Sequence, residues 1–360
     1  MTTNPTNPIP FGVCGLGRIG RTHVQRFSED RTRYRLVAVC DHSPARTASM
    51  AAEHGGATCN SLAELLAHPV LELVIIATPS RLHVRHALQA LEAGKTVLLE
   101  KPIAVTADDL TKLEKAEQDH PGKLFFLHNH RFEPAFQQIL RLLGDRLLGE
   151  VFAIELRRHH PFRFRNDWQS MLEHGGGQLS CWGPHVIDHA LQLLQSPVRS
   201  VWSRLDRIHT PGDADDHVKI LLTGANGRTA DIEISDAVAL PGPYCALHGT
   251  RGSLVCPDQQ RIHLRYIDPA HPLPRVPVSP ETPPPFGVAS NAENLPWIEK
   301  TLQVEPDTNM WDHVETETAR HLHATLCQGI SFPIRSAEAF AVERITEIVK
   351  SQTPQFAWVE

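Results

Sequence analysis

Residues 10–27 read PFGVCGLGRIGRTHVQRF: an apolar run of strand length, glycines at 15, 17 and 20, then a helical pattern. A G-x-G-x-x-G turn that follows a strand and opens a helix lets the chain reverse tightly. It also lets the backbone approach a pyrophosphate seated on the helix N-terminus. Gly15, Gly17 and Gly20, with Arg18 and Ile19 between them, are therefore candidate cofactor-binding positions. Asp41 closes the next β-rich run, RLVAVCD, about where an acidic residue takes the ribose hydroxyls of an adenosine. An aspartate there repels a 2′-phosphate, so NAD is the expected cofactor and NADP the less favoured one. Arg46, a few residues on, is the nearby group able to help bind a phosphate.

Outward from that turn the same rhythm continues. Apolar runs at 35–41, 73–79, 96–102 and 124–130 alternate with helical patterns at 18–29, 44–54, 61–67, 81–93 and 106–118. Such alternation predicts a doubly wound parallel sheet covered on both faces. Past Arg131 the pattern changes. A helix at 134–143 precedes strands at 150–158, 199–208, 217–223 and 229–235, with weaker ones near 245–256. The turn signals GANG (224–227) and HGTRGS (248–253) sit between strands as hairpins need. This half reads as an α+β domain built on a large, mostly antiparallel sheet, which divides the chain into residues 1–130 and 131–360. A Pro-rich stretch from about 266 to 297 reads as a surface excursion, and amphipathic patterns at 312–328 and 336–350 close the chain.

Composition narrows the function classes. The 360 residues are 41% hydrophobic and 21% charged, an ordinary globular balance. A formal charge of -6 gives no reason to expect nucleic acid as a partner. Seven scattered cysteines without a C-x-x-C pair suit a reducing cytosol better than a disulfide framework or a zinc site. MTTNPTNPIP lacks the basic start and apolar stretch of a signal peptide, and no apolar run reaches membrane-span length. The expectation is a soluble cytoplasmic protein. Its 22 histidines combine into no recognised zinc spacing, so no metal is expected.

Two further motifs carry chemistry. Glu100-Lys101-Pro102 ends the fourth long strand, at the edge of a parallel sheet where ligands bind. The stretch HGGGQLSCWGPHVID (174–188) places three glycines before Cys181 and His185, which at a spacing of four should share one helix face, with Asp188 one turn further on. A histidine near its ordinary pKa can take the proton that a secondary alcohol releases when it gives up hydride. A lysine nearby stabilises the developing alkoxide, and glycines leave room for substrate and cofactor to approach the helix start.

Taken with ATPSRLHVRHA (77–87), EAGKTVLLEKP (92–102) and HNHRFEP (128–134), these motifs resemble the glucose-fructose oxidoreductase and inositol dehydrogenase family, Gfo/Idh/MocA. The resemblance implies an N-terminal Rossmann domain and a C-terminal domain whose open sheet often mediates oligomerisation, hence a homodimer or homotetramer. It implies NAD(P)-dependent oxidation or reduction of a sugar, cyclitol or glycoside hydroxyl. Lys101 would bond the reacting hydroxyl and orient the nicotinamide ribose with a Lys101–Pro102 bond that can be cis, and His185 would be the acid/base. Glu100, Thr78, Pro79, His83 and Asn129 would lie on the cofactor side. The family commonly carries aspartate where this chain has Cys181, so Cys181 is either a small buried hydrophobe or a thiol touching substrate. Substrate contacts are sought among Arg131, His159, His160, Arg163, Arg165, Asp167, Trp168 and Asp188. Two alternatives stand beside the oxidoreductase: a redox-neutral lyase, epimerase or glycosidase cycle on a tightly held cofactor, and a dinucleotide-binding protein without catalysis.

Overall fold

The computed structural model describes residues 7–163, 165–273, 279–281, 295–304 and 309–356. Its first half runs β1 (Ile9–Cys14), α1 (Arg18–Glu29), β2 (Tyr34–Cys40), α2 (Pro44–His54), β3 (Ala57–Cys59), α3 (Leu62–Leu66), β4 (Leu73–Ile76), α4 (His83–Glu92), β5 (Thr96–Leu99), α5 (Ala107–Asp119) and β6 (Leu124–Phe126). The strands pair in the order β3-β2-β1-β4-β5-β6, parallel throughout. Central strands such as IPFGVC and LVII are apolar along their whole length because helices cover both faces, and each of their residues is buried. The order reverses between β1 and β4, so a crevice opens beyond their carboxyl ends. The Gly15 turn, Asp41 and Glu100-Lys101 all lie at that edge.

The second half adds α6 (Pro134–Gly144), β7 (Val151–His159), α7 (Gln178–Cys181), α8 (Gly183–Leu194), β8 (Val198–Asp206), β9 (His217–Gly224), β10 (Thr229–Ser235), β11 (Cys245–Gly249), β12 (Gly252–Cys256), β13 (Arg261–Ile267), β14 (Trp297–Gln303), α9 (Met310–Gln328) and α10 (Ser336–Gln352). Eight strands form one sheet in the order β14-β13-β12-β11-β7-β10-β9-β8. The pairings are antiparallel except β7 with β10, which are parallel. Strands such as TADIEIS alternate buried and half-buried residues, since helices α8 and α10 cover one face only. The other face carries Trp202 and Leu221 near one edge and Trp297 at the far one, all exposed.

Three strands escaped the sequence reading. β3 has three residues, while β13 and β14 flank the Pro-rich stretch and pair with each other. Most of that stretch, 274–278 and 282–294, lies outside the described residues. The chain's end returns to the first sheet. Val314, Ala319 and Leu322 of α9 join the core around Phe11, Phe27 and Tyr34, and Ala339 and Phe340 of α10 join the core on the other face. Tyr34 Oη donates to the Ala319 carbonyl at 2.7 Å, which fixes α9 on β2. No helix among the described residues is long and apolar enough to cross a membrane.

Candidate active site

The cofactor crevice is built from the glycine turn upward. Gly15 has φ +95°, and a Cβ there would lie 2.5 Å from the Ala77 carbonyl; a Cβ on Gly20 would collide with the Gly15 carbonyl. These two glycines close the turn against β4. Gly17 differs, because a Cβ there would meet nothing within 4 Å. It is the N-terminal cap of α1, which has no side-chain cap and no acidic residue in its first turn. Uncapped N–H groups facing open space fit a pyrophosphate. Asp41 steadies the turn: its carboxylate accepts from the Leu16 N–H at 2.7 Å and the Ser43 N–H at 2.9 Å, with Arg46 3.6 Å away.

Across the crevice the Lys101–Pro102 bond is cis. Lys101 Nζ donates to the Cys181 carbonyl at 2.8 Å, so the ammonium reaches the start of the second domain's helices. That carbonyl is free for a reason written in the sequence. A continuous helix would give it the His185 N–H, but Pro184 has no N–H and the His185 N–H turns to the Trp182 carbonyl at 3.1 Å. The structure thus corrects the expectation of one helix: α7 ends at Cys181 and α8 begins at Gly183. Cys181 acts on Lys101 through its carbonyl, and its half-buried side chain lines the cleft.

The open cleft is bounded by Lys101, Ser80, Trp168, the glycines 175–177, Ser180 and Cys181. The glycines are needed here partly by the protein itself. A Cβ on Gly177, at φ +103°, would lie 2.1 Å from Asp215 Oδ1, and one on Gly176 would lie 2.5 Å from the Gln169 carbonyl. His185 is buried at the start of α8, and its Nδ1 has no hydrogen-bond partner among the described residues. Burial first, then the neighbouring His130 and the Lys101 ammonium, hold its pKa well below the usual histidine range. The imidazole is therefore neutral at pH 7 and able to accept a proton. The His130 ring packs 4.1 Å from it, centroid to centroid, and His130 Nδ1 lies 2.5 Å from the buried Glu133 carboxylate.

Residues 9–128 match the model of the oxidoreductase family with an NAD-binding Rossmann fold, and residues 136–255 match the GFO/IDH/MocA C-terminal domain. The chain belongs to the Gfo/Idh/MocA family. Its members are NAD(P)-dependent oxidoreductases, and this chain is an oxidoreductase with an NAD-binding Rossmann domain. It is 28% identical to the inositol 2-dehydrogenase of Rhizobium meliloti, over 71% of this chain and 78% of that one. It is 31% identical to the scyllo-inositol 2-dehydrogenase (NADP(+)) of Bacillus subtilis, over 69% and 68%. An NAD-binding protein from Listeria innocua has the same fold, with a TM-score of 0.78 at 24% identity over 97% and 95% of the two chains.

Within this Gfo/Idh/MocA chain several expected site residues are spent on the protein. Arg131 and Asp188 form a buried pair, Arg131 Nε donating to Asp188 Oδ2 at 3.0 Å, and Arg131 also bonds the Pro333 carbonyl and Glu338. Four of the five Arg131 N–H groups and both Asp188 carboxylate oxygens are engaged in these bonds. His159 points to the uncovered sheet face, 3.3 Å from Glu233. Arg165 is bound bidentately by Asp167, and Trp168 beside them is exposed at the cleft. His160 and Arg163 both face Asp236. Both ring nitrogens of His83 lie 2.7 Å from backbone carbonyls, those of Pro102 and Thr78, so His83 joins α4 to the Lys101 loop, with Pro79 capping the short turn before it. The Thr78 hydroxyl contacts His86 at 3.2 Å.

A buried cluster that sequence reading missed supports Lys101 from below. His23 on α1 is fully buried between Glu100, 2.8 Å from Nε2, and Glu315, 3.0 Å from Nδ1. Asn129 donates to the other oxygen of Glu315 at 2.7 Å, and Glu100 accepts from the Lys101 N–H at 3.0 Å. Burial alone would depress His23, but the Glu315 and Glu100 carboxylates outweigh it and push its pKa up to about 10. The imidazolium is thus bound to the folded state. Its contribution to stability is complete below the unfolded value near 6.5 and is lost as pH rises through about 10. Denaturant unfolding should show stability falling across that window, and His23→Gln should flatten the fall.

Proposed function

We propose that this protein transfers hydride between NAD and a secondary hydroxyl of a sugar, cyclitol or glycoside. The supporting observation is the meeting of Lys101, the glycine run and Cys181 around one cleft, with the buried His185 on the following helix close enough to Lys101 to feel its charge. The nicotinamide, when bound, supplies the hydride acceptor or donor. His185 removes the hydroxyl proton in the oxidative direction, and the Lys101 ammonium orients the hydroxyl and stabilises the negative charge growing on its oxygen. Residues 1–130 carry the cofactor and residues 131–360 the substrate, in a cytoplasmic homodimer or homotetramer joined through the uncovered sheet face. The names of the two inositol dehydrogenase relatives favour a cyclitol or sugar.

The test is absorbance at 340 nm with NAD and a panel of cyclitols, sugars, sugar acids and glycosides, with mass spectrometry of the products. A rising signal with a ketone product is expected. An altered substrate without that signal would replace this reading by the redox-neutral cycle, and no change in either would leave a dinucleotide-binding protein. Asp41 at the ribose position supports NAD over NADP. NADH should bind at least about tenfold tighter than NADPH, equivalent to about 1.4 kcal/mol. Asp41→Ser should narrow that ratio and weaken NADH as well, since Asp41 also holds the turn; fluorescence titration of the two nucleotides measures both effects.

A further inference from the structure

The carboxyl ends of β7 and β10, the parallel pair of the second sheet, deliver His160 and Asp236 side by side: the His160 N–H donates to the Ser235 carbonyl at 2.8 Å, and the Arg163 N–H to the Asp236 carbonyl at 2.9 Å. Asp236 is 3% exposed and Gln178, the first residue of α7, 4%. Gln178 Nε2 donates to Asp236 Oδ2. That bond leaves Gln178 Oε1 and Asp236 Oδ1 buried with no hydrogen-bond partner among the described residues. Oδ1 lies 3.0 Å from His160 Nδ1, which is itself buried without a hydrogen-bond partner, and 3.3 Å from Arg163, neither aligned to donate. Gln169 Oε1 is a third acceptor in the same condition.

All three residues border a second cleft, of about 310 Å³, which shares Gln169, Gly177 and Cys181 with the Lys101 cleft. Buried acceptors are seldom left unpaired, so this grouping calls for hydrogen-bond donors from a ligand. The charges around it do not suit an anion. Arg165 is held by Asp167, Arg163 faces Asp236, and Asp216 accepts from the N–H groups of Ile208, His209 and Thr210. No uncompensated cation remains among the described lining residues to hold a carboxylate.

We propose that Asp236 and Gln178 form a specificity subsite beside the Lys101 cleft, accepting hydrogen bonds from hydroxyl or ammonium groups on the part of the substrate beyond the reacting carbon and discriminating against a carboxylate there. This rests on the reading of the Lys101 cleft as the reacting centre. Neither residue stood out in the sequence, because each is an isolated polar side chain whose partner is distant along the chain.

The experiment is saturation-transfer NMR on the NADH-loaded protein with four probes: myo-inositol, glucose, glucosamine and glucuronate. At least one of the first three should bind, with glucuronate weaker than glucose, and the glucose and glucosamine arms separate hydroxyl from ammonium recognition. Asp236→Ala and Gln178→Leu should weaken that probe at least about tenfold with NADH affinity unchanged. Asp236→Asn keeps the shape of the side chain and guards against misfolding; it too should weaken the probe. Binding of none of the three donor probes, tighter binding of glucuronate, or unchanged affinity in the variants would overturn the subsite. Probe binding that the variants abolish, in a protein that turns nothing over, would support the subsite and sink the hydride-transfer reading alone. Turnover undiminished in Asp236→Ala would do the reverse.

Discussion

Alanine at His185 is expected to lower kcat about a hundred- to ten-thousandfold with the substrate that the panel identifies, leaving NADH affinity essentially unchanged. The side chain is buried at the head of α8, beyond the second domain's contact with Lys101, so its loss removes a proton acceptor and disturbs nothing in the glycine turn. Lys101→Ala should cost about a hundredfold or more, by removing charge stabilisation of the oxygen and by releasing the tie to the Cys181 carbonyl. The pH profile distinguishes chemistry from folding. Burial and the nearby His130 and Lys101 hold His185 well below the usual histidine range, so oxidation should stay level through neutral pH. It should decline only on the acid side, as the imidazole becomes protonated. A His185→Ala protein that folds, binds NADH and keeps its rate would remove His185 from the reaction.

The parts of this site that were legible in the sequence are local ones. Glycines 15, 17 and 20 report a turn because only glycine tolerates the approach that Gly15 and Gly20 make, and Glu100-Lys101 reports a strand end because the apolar run of β5 stops at Leu99 just before it. The helix break between Cys181 and His185 was also legible in Gly183-Pro184, since proline favours the first turn of a helix, but the spacing of four drew the reading to a single helix. Long-range pairing was not legible. Arg131 and Asp188 stand 57 residues apart, and each alone looks like a group awaiting substrate. His23 meets Glu100 and Glu315 only because α9 returns to the first sheet across the intervening second domain. Edge strands β3 and β14 failed for a different reason: one has three residues, and the other alternates weakly between exposed and half-buried positions.

Arg131→Ala is expected to destabilise the protein by about 3–5 kcal/mol, the usual cost of stranding a buried charge. For a chain of 360 residues that should appear as a fall in Tm of about 4–7 °C. Asp188 is 1% exposed and takes both of its side-chain hydrogen bonds from Arg131, so removing the guanidinium leaves its carboxylate in a low-dielectric site without compensation. Glu338 loses less, because it is partly exposed and keeps Arg335, whose Nε lies 2.9 Å away. The double replacement Arg131→Met with Asp188→Leu separates the two contributions: it removes the stranded charge and should recover much of the lost Tm. It should not recover activity. Arg131 follows β6 of the first sheet, Asp188 lies one turn past His185 on α8, and the Pro333 carbonyl and Glu338 belong to the passage from α9 into α10. The pair therefore fixes the helix that carries His185 against the sheet that carries Lys101, and a greasy substitute packs there without that registry. Recovery of Tm with kcat still depressed is the expected outcome; full recovery of both would mean that packing alone sets the distance across the cleft.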